Sequence, residues 1–381
     1  MPNTNHITPS GSTLVASDAL NEVVSVLKRH LPLTTGGRKW TQDDIYRVLV
    51  HASARASTVE SVCDELEDAP NSRTVFFWIK PIESQALRQL EESLNQMLVD
   101  RLPPRLDYRP RQAAIDFTLI PYHGEPAREE EEIRHSRAKS GTTHFHCYAT
   151  AYIIHKNKRV TVALTMVRAD EDTLSVLKRL LSRLKVLGIR CKRLYLDRSF
   201  YSVLVIRFLK TQPFVSVMPV VRRGKRIKAL LKVNRSYRTE YTMTTPQHGS
   251  VTFPVWVVCR YLKGRRGKHG IERLGYVVIG DLPWNPRQIR DGYRRRFGVE
   301  SSYRLMNQVR ARTSSREPNR RFLYVAIALL ITNIWTYLKW RYLRVGQRVY
   351  HRLLSLSKLA RFLSQAVEDI YGLQHSVCLQ L

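Results

Sequence analysis

Two aspartates stand out in a chain otherwise dominated by bases. Asp116 sits inside the apolar run Ala114-Ile115-Asp116-Phe117-Thr118-Leu119-Ile120, and Asp197 closes Leu194-Tyr195-Leu196-Asp197. A carboxylate in either place is costly to desolvate unless it is paired, hydrogen-bonded or metal-bound. Either one alone reads as a strand-end cap or a surface ion pair. Two in matched contexts point to a shared site, where facing carboxylates repel and a Mg²⁺ or Mn²⁺ pair relieves the repulsion. A third acid, Glu300, follows Tyr293 and Arg296. With Asn307 these residues are spaced by three, four and seven, so on a helix they share one face. A carboxylate one turn after an arginine suits a site for both metal and phosphate, because guanidinium offers phosphate oxygens a planar fork. Taken alone, the same pattern is a common helix-surface ion pair.

The elements that must position these residues are legible from periodicity. Residues 1–13 are polar and read as a flexible tail. Residues 14–105 read as helical. Leu20, Val23, Val24, Leu27 and Leu31 recur at helical spacing. A second helix starts near Thr41, with Asp44 at the capping-box position. Two short helices, Ser57–Glu67 and Ser72–Ile79, flank a break at Ala69-Pro70-Asn71. They suit either a helix-turn-helix for DNA or plain packing with Phe76, Phe77 and Trp78 as core. A further helix, Ser84–Leu102, ends at Pro103-Pro104.

Then the period changes. Gln112–Ile120 reads as a strand, and Thr143–His155 with Arg159–Val167 as a hairpin. A helix follows over Glu171–Leu187, with Asp170 as its cap and Gly188 as its stop. Strand Arg193–Leu196, helix Tyr201–Lys210 and strand Phe214–Met218 complete the series. Three strands, helix, strand, helix, strand is the order of an RNase H-like α/β domain, in which the first and fourth strands are neighbours. The expected organisation is therefore an RNase H-like core in two parts, 106–218 and 281–315. A β-rich insertion (219–280) interrupts it, and a helical C-terminal region (316–381) follows.

Lys and Arg number 63 against 32 Asp and Glu, a formal net charge of +31, while 43% of residues are hydrophobic. That composition excludes wholesale disorder, and the charge asks for a polyanionic partner, nucleic acid first. Basic clusters at Arg222, Arg223, Lys225, Arg226 and Lys228, at Lys263, Arg265, Arg266 and Lys268, and over 287–296 read as a DNA track. The acidic run Glu129–Glu132 reads as a solvated loop. The five cysteines, Cys63, Cys147, Cys191, Cys259 and Cys378, are scattered without a CxxC, which argues against a disulfide framework or zinc ribbon. His144 and His146 lack a second ligand pair with zinc spacing. No secretory signal is expected from the first residues. The uncharged run Phe322–Leu338 reads as a buried core helix at the short edge of membrane-spanning length.

The ordered set of acids resembles the DDE transposases of bacterial and archaeal insertion sequences, in particular the insertion-sequence-4-like branch. That branch carries a Tyr-x2-Arg-x3-Glu-x6-Lys signature around its third acid. Tyr293, Arg296 and Glu300 match it, while Asn307 stands in the Lys position, with Arg304 or Arg310 as replacements for that phosphate contact. The first acid matches as Asp116 in AIDFTLIPYHG and the second as Asp197 in LYLDRSFYS. The resemblance covers roughly residues 105–315. It implies cut-and-paste transposition, with metal-dependent cleavage at element ends and attack of the released 3′-hydroxyl on target DNA. Asp116, Asp197 and Glu300 would hold two Mg²⁺ (or Mn²⁺) ions. The implied partners are double-stranded transposon ends and target DNA, bound by a homodimer in a prokaryotic cytoplasm, nucleoid-associated when on DNA. Neither a membrane nor a small-molecule cofactor is expected. Some relatives stack a flipped base on an aromatic residue; Trp256 is a candidate, with a core Trp as the alternative reading. The rival functions are an RNase H-fold nuclease without strand transfer, a catalytically silent transposase-derived DNA-binding protein and a membrane-surface protein anchored by residues 322–338.

Overall fold

The computed structural model describes residues 13–34, 39–102, 110–155, 158–264, 269–294, 296, 298–342 and 354–374; of residues 155, 158, 263, 269 and 298–302 it describes the backbone alone. The chain divides into two compact units, one of residues 104–302 and one of residues 1–103 with 303–381.

The first unit is built on one mixed sheet. Its strands are β1 (Arg111–Pro121), β2 (Arg134–Lys139), β3 (Thr142–His155), β4 (Lys158–Val167), β5 (Cys191–Tyr195), β6 (Val215–Pro219), β7 (Tyr237–Thr245), β8 (Gly249–Lys263) and β9 (His269–Ile279). The order is β2-β3-β1-β5-β6-β9-β8-β7, with β4 also paired to β3. Among the described strands, only the pairs β1–β5 and β5–β6 are parallel. Those pairs need crossovers, which α6 (Thr173–Val186) and α7 (Val203–Lys210) help to supply. Leu177, Leu180 and Leu184 of α6 are buried, and the helix packs on β3 and β4. The cap of α6 is Asp172, not Asp170: its carboxylate accepts the N–H groups of Leu174 at 2.8 Å and Ser175 at 3.0 Å. Asp170 instead faces Arg168 at 3.4 Å. The helix starts later than its apolar stripe suggests because Asp170 sits too early in the chain to reach those donors.

The segment expected to be mostly β also holds a short helix, α8 (Lys225–Leu230), whose Ile227 is buried while Lys225, Arg226 and Lys228 are exposed. Its strands do not stand apart. β9 pairs antiparallel with β6, so β7, β8 and β9 continue the main sheet. The acidic run is only partly solvated: Glu132 is buried and accepts the Ala127 N–H at 3.1 Å, and Glu129 pairs with Arg168 at 2.5 Å.

The second unit is helical. It holds α1 (Ala16–His30), α2 (Gln42–Ala54), α3 (Val59–Glu65), α4 (Ser72–Glu83), α5 (Leu87–Val99), α11 (Pro318–Tyr342) and α12 (Leu356–Tyr371). Asp44 accepts both the N–H and the hydroxyl of Thr41 at 2.8 and 2.7 Å, fixing the start of α2. Thr58 and Asn71 cap α3 and α4. The apolar run lies in α11, long and apolar enough to cross a membrane but mostly buried within this unit. Polar pins hold it there: Asn319 donates to Glu83 and Gln85 carbonyls, Asn333 to the Leu98 carbonyl, and Arg320 pairs with buried Glu83 at 2.5 Å. Of the aromatic trio on α4, Phe76 and Trp78 are half-buried and Phe77 is exposed, so Val75 and Ile79 supply the core instead. The α4 helix runs on through Pro81 to Glu83, and the next helix begins three residues later than Ser84.

His51 on α2 is fully buried, with the Ser364 hydroxyl 3.2 Å from Nδ1. Burial, reinforced by Arg55, pushes its imidazole pKa down to about 4. The unfolded chain, near 6.5, takes up the proton first, so acid favours unfolding. Stability therefore falls as pH drops from about 6.5 toward 4, by up to about 3 kcal/mol. Urea unfolding at pH 7 and pH 4.5 measures the loss. His51→Gln should flatten it, and an identical pH slope in the variant would exclude this source.

Candidate active site

The pairing of β1 with β5 sets the first two acids in phase. The last paired positions are Ala114↔Tyr195, and Asp116 and Asp197 each lie two residues beyond them. In a parallel pair, equal offsets put side chains on the same face. Asp116 lies midway along β1 and Asp197 just past the end of β5, so both carboxylates emerge on one face of the sheet where β5 stops. Asp116 is buried. One of its oxygens accepts the Phe117 N–H at 3.0 Å, and the other accepts from Arg296 Nη2 at 2.8 Å. Asp197 is half-buried and opens a 3₁₀ turn over Arg198–Phe200, where its Oδ1 accepts the Ser199 N–H at 2.9 Å and the Ser199 hydroxyl.

Tyr293 of α9 (Pro286–Arg294) and Arg296, two residues past its end, tie the two carboxylates to one network. The Tyr293 hydroxyl donates to the Leu196 carbonyl at 3.0 Å, one residue before Asp197. Arg296 Nη1 donates to that same hydroxyl at 3.2 Å. The Tyr293 ring lies between Tyr276 and Tyr195, with centroids 5.2 and 6.3 Å away. Burial holds the Tyr293 hydroxyl firmly protonated; Arg296 pulls the other way, and Asp197 and Asp116 counter that pull. For Arg296, burial opposes the charge, but Asp116, Tyr293 and Asp197 together raise its pKa. Gly292 lets Trp284 seat against the helix: a Cβ there would lie 2.2 Å from the indole. The guanidinium of Arg296 is thus engaged by Asp116 and Tyr293 and is largely buried at the wall of the cleft. This corrects the expectation of a free phosphate fork, because the buried acid is the nearer anion.

The donor chemistry fits a hard divalent cation, since two aspartates on neighbouring central strands supply oxygen ligands from one face. Among the described residues, no three His, Cys, Asp or Glu side chains are grouped to hold a metal. Glu300 lies on α10 (Gly298–Gln308), and its side chain is outside the described residues.

The family model for the transposase DDE domain matches residues 107–334, more than half of the chain. The chain belongs to this family. It is a DDE transposase, an enzyme of phosphodiester cleavage and DNA strand transfer. The fold is similar to that of the piggyBac transposase in a cryo-EM synaptic complex with hairpin DNA, at a TM-score of 0.55 and 13% identity. The match covers 94% of this chain and 79% of that one. No curated protein matches the chain.

Within the DDE segment, Asp197 opens onto a cleft of about 520 Å³. Six arginines line it: Arg198, Arg222, Arg260, Arg290, Arg294 and Arg296. Two carboxylates, Asp197 and Glu272, face them. Arg222 was legible as part of a basic cluster, and Arg290 and Arg294 fell within the 287–296 run. Arg198 and Arg260 escaped sequence reasoning because only folding brings β5, β8 and α9 together; the one available signal was Arg198 directly following Asp197. Arg223, Lys225 and Arg226 are exposed beside Arg222 in sequence. Arg265, Arg266 and Lys268 lie outside the described residues. Trp256 does not line the Asp197 cleft. It is half-buried on β8 opposite Arg238, whose guanidinium lies 5.5 Å from its ring, and it borders a smaller pocket with Asp281. Arg304 and Arg310 belong to the helical unit. Arg304 is exposed, and Arg310 donates to Asn307 at 3.3 Å.

Proposed function

We propose that this transposase moves an insertion sequence of the insertion-sequence-4-like branch by a cut-and-paste route in a prokaryotic cytoplasm. The observation that carries the reading is the phase of Asp116 and Asp197 on the adjacent strands β1 and β5, inside the segment that matches the DDE family. The strand series β4-β3-β1-β5-β6 supports an RNase H-like core, with β7, β8 and β9 as its insertion and α1–α5 as an N-terminal DNA-binding region. The domain boundaries at 13, 105, 218, 280 and 315 follow from that assignment.

Asp116, Asp197 and Glu300 would hold Mg²⁺ or Mn²⁺, which supplies activation of the attacking oxygen and stabilisation of the leaving one. The chain's own groups do the rest. Tyr293 fixes the end of β5 through the Leu196 carbonyl, holding Asp197 in place. Arg198, Arg222, Arg260 and Arg294 are exposed and line the cleft, a wall suited to phosphodiester oxygens. Arg223, Lys225 and Arg226 extend this basic surface along the backbone of the duplex. Two copies of the chain act on paired ends.

Linear duplexes ending in the DNA that flanks the gene, incubated with the protein, Mg²⁺ and a supercoiled target, test the reading. Joined products with 3′-hydroxyl donor ends are expected. Cleavage without joining would indicate a nuclease, and no cleavage with either Mg²⁺ or Mn²⁺ would indicate a silent DNA-binding protein.

A further inference from the structure

Asp116 has both carboxylate oxygens engaged, one by the Phe117 N–H and one by Arg296. A cation that takes Asp116 as a ligand must therefore compete with a buried guanidinium. The competitor is hinged at one end. Arg296 Nη1 is anchored to the Tyr293 hydroxyl, which is anchored to the Leu196 carbonyl, while Nη2 makes the contact to Asp116. Arg296 also lines the arginine cleft, so a phosphodiester there offers its fork a second anion of matching geometry.

We propose that Arg296 is a latch on Asp116, closed without DNA and drawn open by a DNA phosphate in the cleft, so that nucleic acid and divalent cation bind cooperatively. The inference rests on the reading of Asp116 as a cation ligand. The charge of the cleft acts in the same direction. Six arginines against Asp197 and Glu272 repel a divalent cation, and phosphates entering the cleft reverse that field. Two ligands coupled in this way each raise the other's affinity by the same factor. Arg296 is a positioning residue here: it governs which partner Asp116 takes, and its role appears in binding as well as in turnover.

Mn²⁺ binding to the full chain, followed by electron paramagnetic resonance, tests this with and without a short duplex. Asp116→Asn with the same duplex gives the background of Mn²⁺ held by DNA itself. Wild type should bind Mn²⁺ about tenfold more tightly with DNA than without it. Arg296→Gln should bind about tenfold more tightly than wild type without DNA and gain little on adding it. The wild-type arm decides the matter even if the variant folds poorly. Binding that depends on Asp116 but is equally tight with and without DNA would overturn the latch alone. No binding above the Asp116→Asn background, even with DNA, would overturn both the latch and the ligand role of Asp116.

Discussion

Replacing Asp197 with Asn lowers DNA cleavage and joining by about 10³-fold while leaving the protein folded. The two halves of this expectation come from different atoms of one side chain. Asp197 caps the 3₁₀ turn through Oδ1, which accepts the Ser199 N–H and hydroxyl. An asparagine carbonyl caps about as well as a carboxylate, so the turn should survive with a change in stability below about 0.5 kcal/mol. What asparagine cannot replace is the negative charge facing a cation and the arginine cleft. Gel-resolved product yield, thermal melting and duplex binding separate the effects. If Asp197→Asn cut DNA at the wild-type rate, Asp197 would be a cap and nothing more.

The second large effect is on stability. Asp116 and Arg296 form a 2.8 Å ion pair with side chains 9% and 8% exposed. Removing one partner strands the other charge at low dielectric, so Arg296→Met or Asp116→Leu should each destabilise the sheet unit by about 3 kcal/mol or more. The double variant should recover most of that loss, because it leaves no uncompensated charge and adds apolar volume. Urea unfolding of the four proteins closes the cycle. Additive losses in the double variant would mean that the two side chains stabilise the fold independently.

Much of this site was legible in the sequence, for a physical reason. A carboxylate in an apolar strand needs a compensating partner, so Asp116 and Asp197 announced themselves, and the strand–helix–strand order put them on neighbouring strands. The expected single helical face of Tyr293, Arg296, Glu300 and Asn307 does not form: α9 stops at Arg294, α10 starts at Gly298, and Arg296 lies between them, where it reaches Asp116. The partners of these side chains were not legible. A guanidinium near a candidate phosphate site reads as a phosphate ligand until the fold shows Asp116 at 2.8 Å. Arg198 and Arg260 are far apart in the chain, and their convergence is a property of the sheet. Local competition explains the smaller differences. Asp172 outcompetes Asp170 as a cap because its oxygen reaches the free N–H groups of Leu174 and Ser175, and Phe77 turns outward because the α4 stripe follows Val75 and Ile79. The run 219–280 was correctly β-rich, but periodicity carries no information on which sheet a strand joins, so the continuation through β6 and β9 was invisible.

The parallel pairing of β1 and β5 also constrains how this chain can vary. Alternation along a strand has a period of two, so adding or deleting a single residue between Ala114 and Asp116 would turn that carboxylate to the opposite face. The same holds between Tyr195 and Asp197. Loops elsewhere carry no such parity: a residue gained in the connection between β4 and α6, or between α6 and β5, changes a length without reversing a side chain. Two dipeptides, Ile115-Asp116 and Leu196-Asp197, are thus segments in which an indel of one displaces the acid as surely as substituting it. Between them, the number of residues separating the two acids is free to drift, while the odd or even count at each strand end is not.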